Sequence, residues 1–457
     1  MTDNYDMRGR SRQGGLAAIA VLALVLAGLA ANGASAAPPG RISSTQTLAP
    51  GLTLTKINTS EPMQIRVLTI DPAKAVSVDL ASAGTVFGSY ARPSTIAANH
   101  NALAAINGDF TMDGRPVHPF AEDGVLRSSG LQSGGAFTVS KDETHVYLGS
   151  PALRMTGFDV TAATTFTISR WNTGAPGNGE ISAFTSAAGS QEKPPSDACS
   201  ARLLSAGKLR WNPGQAGVSK EWTVDTVKCQ SAPVTLGGGM VLSSKLNGAG
   251  ADAIRAMRRG HTVRLSWDPG WAGVLDLIGG MPLLVSDGAV VAKNNCGTYF
   301  CERNPRTAIG TTRDGKVLLV TVDGRAPGVS LGMTLVGLAR QMQSLGATWA
   351  VNLDGGGGST MWVKGQGIVN RPSDGSERPV TNAILVLPGA DPGEPTPVGR
   401  VPILSPAAAA GAAESAAADP ASTGGLIEAL LAGDLGATPP LPRAWADAAR
   451  TFRLSQA

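Results

Sequence analysis

Hydrophobic positions along most of this chain come in short runs that are separated by turn residues. Between Ala37 and about Gly389, β-branched and aliphatic runs such as 64–70, 76–80 and 136–139 alternate with Gly, Asn and Asp. Runs of this kind, bounded by turn residues, are typical of β-strands. The pattern predicts an α+β fold rich in β-structure, with mixed sheets and a few crossover helices in one large domain.

The stretch from Val317 to Leu353 gives the clearest prediction of secondary structure. Residues 317–322 are continuously apolar or β-branched and precede Asp-Gly, which predicts a buried strand. Apolar residues at helical spacing follow, Gly346 is placed to end the helix, and residues 349–353 predict a second strand. A strand, a crossover helix and a strand form a right-handed unit whose strands end at the same sheet edge.

Asp323 and Asp354 follow these two strands, so we expect them to face one crevice. The strand ends lie about 5 Å apart if the strands are neighbours, and about 10 Å apart if another strand intervenes. Two carboxyl groups at the shorter spacing suit paired acid and base, or acid and nucleophile, chemistry. The alternative is that both are turn aspartates that accept hydrogen bonds from backbone N–H groups.

A run of four glycines follows the second predicted strand directly. The run and its polar flanks are Asp354, Gly355, Gly356, Gly357, Gly358, Ser359 and Thr360. Glycine allows the backbone to turn successive N–H groups inward, so the run predicts a nest for a phosphate or an oxyanion. It lacks the Lys of the Walker loop and the third glycine of the dinucleotide fingerprint. A tight β-turn with surplus glycine is the alternative.

The two ends of the chain differ from the region between them. Residues 1–36 combine three arginines, an apolar run and Ala34-Ser35-Ala36, which is the pattern of a signal peptide cleaved after Ala36. Residues 389–457 are rich in Ala, Pro, Gly and Ser and predict a disordered tail. The sequence therefore predicts a domain at 37–388 in a protein that is secreted or held in the cell envelope, with no stable membrane anchor.

Composition and charge restrict the classes of molecule that the protein is expected to bind. With 38 basic and 34 acidic residues the net charge is +4, which argues against nucleic acid as a partner. The sequence requires no cofactor, although its acidic residues leave a Ca²⁺ or Mg²⁺ site open. The four histidines have no metal-ligand spacing, and His118 is the one near a predicted site loop.

The cysteines are even in number, which in an exported chain favours two disulfides over a metal site. We pair Cys199 with Cys229 and Cys296 with Cys301.

Several further motifs contain residues that often serve binding or catalysis. In chain order they are Asn107-Gly108-Asp109-Phe110, Gly279-Gly280-Met281-Pro282-Leu283-Leu284, Arg306-Thr307-Ala308-Ile309-Gly310, Asp323-Gly324-Arg325, Ser330-Leu331-Gly332-Met333, Asn370-Arg371-Pro372 and Arg378-Pro379-Val380-Thr381-Asn382. Residues 328–332 also match the nucleophile elbow of hydrolases, but no His follows Ser330. We interpret Ser330 as a helix-start residue.

Taken in this order, the motifs resemble the phosphodiester glycosidase family over roughly residues 52–387. The second half of this span matches specifically, whereas residues 158–234 match poorly and are interpreted as a divergent insert. Two positions depart from the family pattern. Gly358 stands where a Ser usually follows three glycines, and Phe110 stands alone where two aromatic residues are common.

The resemblance implies hydrolysis of a sugar-1-phosphodiester, which releases the sugar and a phosphomonoester. An envelope or extracellular phosphoglycan is the expected substrate. The implied catalytic residues are Asp109, Asp323, Asp354 and Arg306, with Arg306 and the glycine amides holding phosphate. The implied substrate-binding residues are Asn107, Thr307, Arg325, Asn352, Gly355, Gly356, Gly357, Gly358, Ser359, Thr360, Asn370 and Arg378.

Two other functions stay open. A non-catalytic glycan-binding protein of the cell envelope with the same fold is favoured by Gly358 in place of Ser. Phosphodiester cleavage by a metal-dependent nuclease or by a lipase-like route is disfavoured, because the histidines form no metal-binding set.

Overall fold

The fold is given by a computed structural model that describes residues 41–389, except for 75, 133, 141–145, 151, 190–192, 207–209, 212–215, 231–232, 273 and 295–298. The predicted signal peptide (1–36), the predicted tail beyond residue 389 and Cys296 lie outside the described residues.

Strands dominate the described part of the chain, which confirms the α+β, β-rich class. The first strands are β1 (Arg41–Ala49), β2 (Leu52–Asn58), β3 (Gln64–Ile70), β4 (Val76–Ser82), β5 (Ala104–Asn107), β6 (Thr111–Met112), β7 (Arg115–Pro116), β8 (Phe120–Glu122), β9 (Val125–Ser128), β10 (Gly135–Ser140), β11 (Val146–Gly149), β12 (Arg154–Asp159), β13 (Thr164–Thr167), β14 (Arg170–Trp171) and β15 (Ser182–Phe184). The later strands are β16 (Ala198–Ser205), β17 (Arg210–Trp211), β18 (Ala216–Gln230), β19 (Met240–Lys245), β20 (Thr262–Ala272), β21 (Val274–Gly280), β22 (Leu283–Ser286), β23 (Ala289–Val290), β24 (Arg306–Thr312), β25 (Val317–Val322), β26 (Ala347–Asn352), β27 (Met361–Val363), β28 (Gly367–Ile368) and β29 (Asn382–Pro388). The α-helices are α1 (Pro93–Asn99), α2 (Ala249–Ala256) and α3 (Leu335–Ser344).

An eight-stranded sheet, here called the central sheet, has the order β1-β2-β3-β25-β24-β26-β22-β23. Its inner strands β24 and β25 are buried along their whole length. Strands that are apolar throughout need cover on both faces. Helix α3 covers one face with Leu335, Leu338 and Met342, while on the other face Leu319 packs in one core with Ile106 of a second sheet.

The predicted unit of strand, helix and strand is present as β25, α3 and β26. Thr334 caps the helix by accepting a hydrogen bond from the Gly337 N–H at 3.1 Å, and Gly346 follows it with a φ of 91°. The interpretation of Ser330 as a helix-start residue was wrong. Its hydroxyl instead donates to the Asp323 carbonyl at 2.6 Å, because the chain continues for three more residues before the cap.

Strand β24 lies between β25 and β26 and is antiparallel to both. Strands β25 and β26 therefore run in the same direction and end where β24 begins. This end of the three strands is here called the site edge. Asp323 and Asp354 follow strands that are separated by one intervening strand, which sets the spacing at about 10 Å. The prediction of a strand, a crossover helix and a strand is confirmed, and the longer of the two predicted spacings between the strand ends applies.

A five-stranded sheet with the order β28-β27-β5-β29-β4 packs face to face against the central sheet. In its register Met361 pairs with Ile106, and Ala383 pairs with Asn107. The start of β27, the end of β5 and the start of β29 consequently meet at one place. Asn107 connects that place to the site edge, because its Nδ2 donates to the Asp354 carbonyl at 2.7 Å.

The predicted insert contributes to a nine-stranded sheet with the order β13-β12-β20-β18-β16-β19-β15-β14, in which β17 pairs with β18. This sheet has a hydrophobic core of its own. Cys199 and Cys229 lie opposite each other on β16 and β18 and form the predicted disulfide. Cys301 is also disulfide-bonded, and Cys296, its predicted partner, lies outside the described residues.

Two smaller sheets complete the described fold, one with the order β11-β10-β21-β8-β9 and one formed by β6 and β7. Among the helices in the described ranges, none has the length and apolar character that crossing a membrane requires.

Candidate active site

The four glycines form a tight turn between β26 and β27, here called the glycine turn (Gly355–Gly358). Residues 356–358 make one 3₁₀ turn, which Gly356 enters with a φ of 57° that favours glycine. The Gly356 N–H donates to the Pro305 carbonyl at 2.9 Å, and the Gly358 N–H donates to the Gly355 carbonyl at 3.1 Å. These two amides are thus engaged within the protein, which differs from the nest of inward amides that the sequence predicts.

The missing side chains of the glycine turn make room for charged groups. A Cβ on Gly356 would lie 2.9 Å from Nη2 of Arg325, and a Cβ on Gly357 would overlap Arg378 and Asp374. A Cβ on Gly358 would lie 2.5 Å from Oδ2 of Asp354. Two guanidinium groups and two carboxylates therefore approach one turn of the backbone. Any side chain on these three residues would push one of them away.

Asp354 is the partly exposed carboxyl group of the site. Burial raises its pKa to about 7; the charge of Arg378 lowers the pKa, and the charge of Asp109 raises it further. The Gly355 N–H donates to the carboxylate and acts to lower the pKa, while Asp374 acts to raise it. A carboxyl group with this pKa is half-protonated at neutral pH, which suits it to proton transfer.

Asp109 is a second carboxylate behind Asp354, with a side chain that is fully buried. Burial raises its pKa, and hydrogen bonds from His118 and Phe110 oppose that rise. Its Oδ1 accepts from His118 Nδ1 at 2.6 Å and from the Phe110 N–H at 2.7 Å, and its Oδ2 accepts from the His118 N–H at 2.8 Å. The backbone of Asp109 is fixed too, since its N–H donates to Asn382 Oδ1 at 2.8 Å.

Asp323 holds a neighbouring loop. Its buried Oδ1 accepts hydrogen bonds from Asn370 Nδ2 at 3.0 Å and from the Arg371 N–H at 2.9 Å. Burial raises the pKa of Asp323, while these two donors and the charges of Arg66 and Arg371 lower it. Among the three predicted aspartates, Asp354 is the one that is partly exposed, whereas Asp109 and Asp323 are buried.

Arg306 does not point freely into the site. Its Nε donates to the Met333 carbonyl at 2.9 Å, and its Nη2 donates to the Phe300 and Glu302 carbonyls at 2.7 Å each. Burial lowers the pKa of Arg306 to about 10, and the charge of Arg325 lowers it as well, so the group stays charged at neutral pH. The guanidinium group thus anchors the loop that carries Phe300.

Arg325 is exposed and held in place on the glycine turn. Its Nε and Nη2 donate to Asn304 Oδ1 at 3.3 and 3.0 Å, and its guanidinium carbon lies 5.4 Å from the centre of the Tyr299 ring. The backbone of Arg325 has a φ of 58°, which is unfavourable for a residue with a side chain. Unusual backbone conformations of this kind concentrate at functional sites.

Arg378 is also exposed, and it pairs with Asp374 at 2.7 Å across the glycine turn. Arg325, Arg378 and Asp354 thus each lie against one residue of the same glycine turn.

Most of the other predicted binding residues form a buried network beneath the turn. Asn107 Oδ1 accepts from the Thr307 hydroxyl at 2.9 Å and from the Thr360 N–H at 3.0 Å, and the Thr307 hydroxyl lies 3.2 Å from the Ser359 hydroxyl. These four residues have at most 1% of their surface exposed. They are therefore placed to position the glycine turn.

Two further asparagines contribute in the same way. Asn352 donates from Nδ2 to the Met281 carbonyl at 2.6 Å, and Asn370 Oδ1 accepts from the Met361 N–H at 2.7 Å.

Asp374 and Asn304 contribute to the site in ways that motif reading missed, and His118 was marked only as a histidine near a predicted site loop. Its packing is visible only in the folded chain, where a side chain on Gly279, in the motif Gly279-Gly280, would overlap its Cβ. Asp374 and Asn304 act through arginines that lie near them only in the folded chain, so no spacing in the sequence marks them.

A cavity of about 890 Å³ lies at the opposite end of the central sheet, where Thr312 ends β24 and Lys316 precedes β25. It is remote from the glycine turn. Within the described ranges, no group of three or more His, Cys, Asp or Glu side chains is arranged to hold a metal ion.

Part of the chain is similar to a known family, the phosphodiester glycosidases. Residues 213–387 match the model of that family, phosphodiester glycosidase, which confirms the resemblance over this segment. The SPbeta prophage-derived uncharacterized protein YomE of Bacillus subtilis (strain 168) is 39% identical over 84 residues, which are 18% of this chain and 13% of that protein.

Two solved structures with TM-scores above 0.5 share the fold at low identity. A hypothetical protein from Synechocystis has a TM-score of 0.57 and 22% identity over 74% of this chain and 62% of its own. A Burkholderia pseudomallei protein described as exported has a TM-score of 0.52 and 24% identity over 72% and 75% of the two chains. The zebrafish N-acetylglucosamine-1-phosphodiester alpha-N-acetylglucosaminidase catalytic domain, auto-inhibited by its pro-peptide, has a TM-score of 0.40 and 16% identity over 76% and 87%. The matches thus span less than two thirds of the B. subtilis and Synechocystis proteins.

Asp354→Asn is expected to stabilise the protein at alkaline pH. The folded pKa of about 7 exceeds the ordinary value of 3.8, so the native state binds more protons than the unfolded state between these values. The free energy of unfolding of the wild type therefore falls as pH rises through this window. Removal of the charge should add up to about 4 kcal/mol at pH 8 and nothing below about pH 4, with solvent contact making this an upper limit.

The measurement is urea unfolding of both proteins from pH 4 to pH 8, with Asp287→Asn in an exposed turn as the matched control. A stability difference that does not change with pH would contradict the prediction.

Proposed function

We propose that this protein is a hydrolase that cleaves a sugar-1-phosphodiester. The observation that carries the proposal is the convergence of Asp354, Arg325 and Arg378 on the glycine turn. Two exposed guanidinium groups suit a phosphodiester anion, and a carboxyl group that holds a proton near neutral pH suits proton transfer to it. The family match over residues 213–387 supports the same reaction class.

Arg325 and Arg378 are the proposed phosphate ligands. A guanidinium group can donate two parallel hydrogen bonds to phosphate oxygens. A hydrogen bond to Asn304 and contact with the Tyr299 ring fix the position of the Arg325 guanidinium group. Arg378 instead forms an ion pair with Asp374. Phosphate would take the place of the Asp374 carboxylate. Two placed arginines recognise a single phosphodiester without a basic surface, in keeping with the net charge of +4.

In the proposed reaction, the bond between the anomeric carbon and the phosphate oxygen breaks. The oxygen of water forms the new bond to the anomeric carbon, and the bonding electron pair leaves with the phosphomonoester. Asp354 gives its proton to the phosphate and regains one from the attacking water. A protonated Asp354 also avoids repulsion of the bound anion, and the two guanidinium groups stabilise the charge that the leaving phosphate gains.

The buried residues are proposed to act by position. Asp109 contributes its charge from behind Asp354, and Asp323 orders residues 370–371. Arg306 holds the loop around Phe300, and the Asn107 network holds the glycine turn. These roles replace direct phosphate and sugar contacts, because hydrogen bonds inside the protein already engage the side chains of Arg306, Asn107, Thr307 and Ser359.

A phosphoglycan outside the cytoplasm is the proposed substrate. Three observations support export: the signal-like residues 1–36, the Cys199–Cys229 disulfide, and the structural likeness to a B. pseudomallei protein described as exported. Disulfides form and persist in oxidising compartments outside the cytoplasm.

Turnover of a sugar-1-phosphodiester is expected to depend on protonated Asp354. The pKa of about 7 predicts that kcat/KM falls as pH rises through about 7. Asp354→Asn should lower turnover by about 10²–10⁴-fold, the usual contribution of a general acid. The measurement is release of free sugar across pH 5–9, with Asp287→Asn as control. Equal turnover by wild type and Asp354→Asn would exclude this role.

Arg325→Ala is expected to reduce kcat/KM by about 10–100-fold, since it removes charge-assisted hydrogen bonds to phosphate. Arg340→Ala, which removes an exposed arginine of α3, should leave kcat/KM unchanged. The measurement is steady-state kinetics on the same substrate. An unchanged value for Arg325→Ala would refute the phosphate role. Binding of phosphoglycan by the wild type without any turnover would instead establish the non-catalytic glycan-binding function.

A further inference from the structure

His118 is a completely buried histidine behind the glycine turn, and the reaction described above gives it no part. Both its backbone N–H and its Nδ1 contact the Asp109 carboxylate, at 2.8 and 2.6 Å. The tautomer with a hydrogen on Nδ1 donates to the carboxylate across this short contact. Nε2 is buried and has no hydrogen-bond partner among the residues that the structure describes. The imidazole therefore directs its polar interaction at Asp109.

Packing allows the ring of His118 little freedom. A side chain on Gly279 would overlap its Cβ, and a side chain on Gly134 would lie 2.6 Å from its Cδ2. Phe110 contacts the ring edge-on, with the ring centres 6.2 Å apart. Backbone without side chains, at Gly279 on β21 and at Gly134 just before β10, thus forms a slot for this residue. A buried imidazole with one unsatisfied nitrogen is costly, so the slot indicates a purpose for the contact with Asp109.

Asp109 and Asp354 lie on segments that touch. The Asp354 N–H donates to the Gly108 carbonyl at 3.1 Å, and Asn107 donates to the Asp354 carbonyl. The hydrogen-bond donors are divided unequally between the two carboxyl groups. Asp109 receives three N–H donors, whereas Asp354 receives the Gly355 N–H. The donors stabilise charge on Asp109, and that charge opposes a second charge on Asp354.

We propose that His118 is a positioning residue that keeps Asp109 charged and thereby keeps the proton of the pair on Asp354. The other charged groups that face Asp354 are Arg378 and Asp374, across the glycine turn. Asp109 faces His118 and the backbone of Phe110. The catalytic consequence rests on the proposed function, whereas the distribution of the proton between the two carboxyl groups does not.

The test compares variants of the full chain that keep or remove the donor at the Nδ1 position. His118→Asn retains an N–H near that position, while His118→Leu and His118→Gln remove or displace it. Carboxyl ¹³C NMR titration of protein labelled at aspartate reports each group separately, with assignments from Asp109→Asn and Asp354→Asn. Thermal unfolding identifies the variants that are folded, and His118→Gln serves if His118→Leu does not fold.

The expected result is that Asp109 titrates at least about one pH unit higher in His118→Leu than in the wild type, the worth of one hydrogen bond to a charged group. Asp354 should titrate at lower pH, because a protonated Asp109 no longer opposes its charge, and His118→Asn should resemble the wild type. Identical Asp354 titrations in the wild type, His118→Leu and His118→Gln would overturn the proposal.

Kinetics separate this inference from the proposed function. If the wild type hydrolyses sugar-1-phosphodiesters, the alkaline limb of its pH profile should shift to lower pH in His118→Leu and remain in place in His118→Asn. If the wild type hydrolyses none, the proposed function fails while the titration still decides the role of His118. A loss of stability in His118→Leu without any shift in either titration would assign a purely structural role to His118.

Discussion

The arrangement of charged groups at the site edge depends on three consecutive residues that have no side chain. Gly356, Gly357 and Gly358 let Arg325, Arg378 and Asp354 approach the same turn of backbone, and a Cβ at any of these glycines would collide with one of them. The glycines therefore contribute mainly by leaving space for these side chains, and less by flexibility or by donating amide hydrogen bonds. The buried network around Asn107 fixes the turn so that this volume stays in one place.

The three aspartates show how environment divides one residue type into separate roles. Asp323 gives one oxygen to two donors of a neighbouring loop, and Asp109 is surrounded by the N–H groups of His118 and Phe110. Asp354 lies among charges at a partly exposed position, with few donors of its own, and its pKa rises to about 7. A carboxyl group held in this state lowers stability at neutral pH, a common feature of functional sites.

Local pattern was sufficient for much of the fold. The apolar run 317–322, the helical spacing that begins at Leu335 and the cap at Gly346 are all found, because each depends on neighbouring residues. The position of β24 between β25 and β26 was not predictable, since it depends on pairing between strands that are distant in sequence. The prediction that Ser330 starts the helix was wrong for a related reason, because its hydroxyl donates to the Asp323 carbonyl in the folded chain.

The sequence identified the site better than the roles of its residues. Arg306 was expected at phosphate, yet the loop at 299–302 folds back and supplies carbonyl partners for its guanidinium group. His118 was visible only as a histidine near a predicted loop. Its contact with Asp109 depends on Gly134 and Gly279, which lie far from it in the sequence or on another segment of the chain.

The most direct test of the central claim is hydrolysis of a sugar-1-phosphodiester by the purified protein in H₂¹⁸O, with mass spectrometry of both products. Attack of water at the anomeric carbon predicts ¹⁸O in the released sugar and none in the phosphomonoester. Appearance of ¹⁸O in the phosphate product, or of sugar phosphate in place of free sugar, would contradict the assignment of Asp354, Arg325 and Arg378 to a phosphodiester glycosidase reaction.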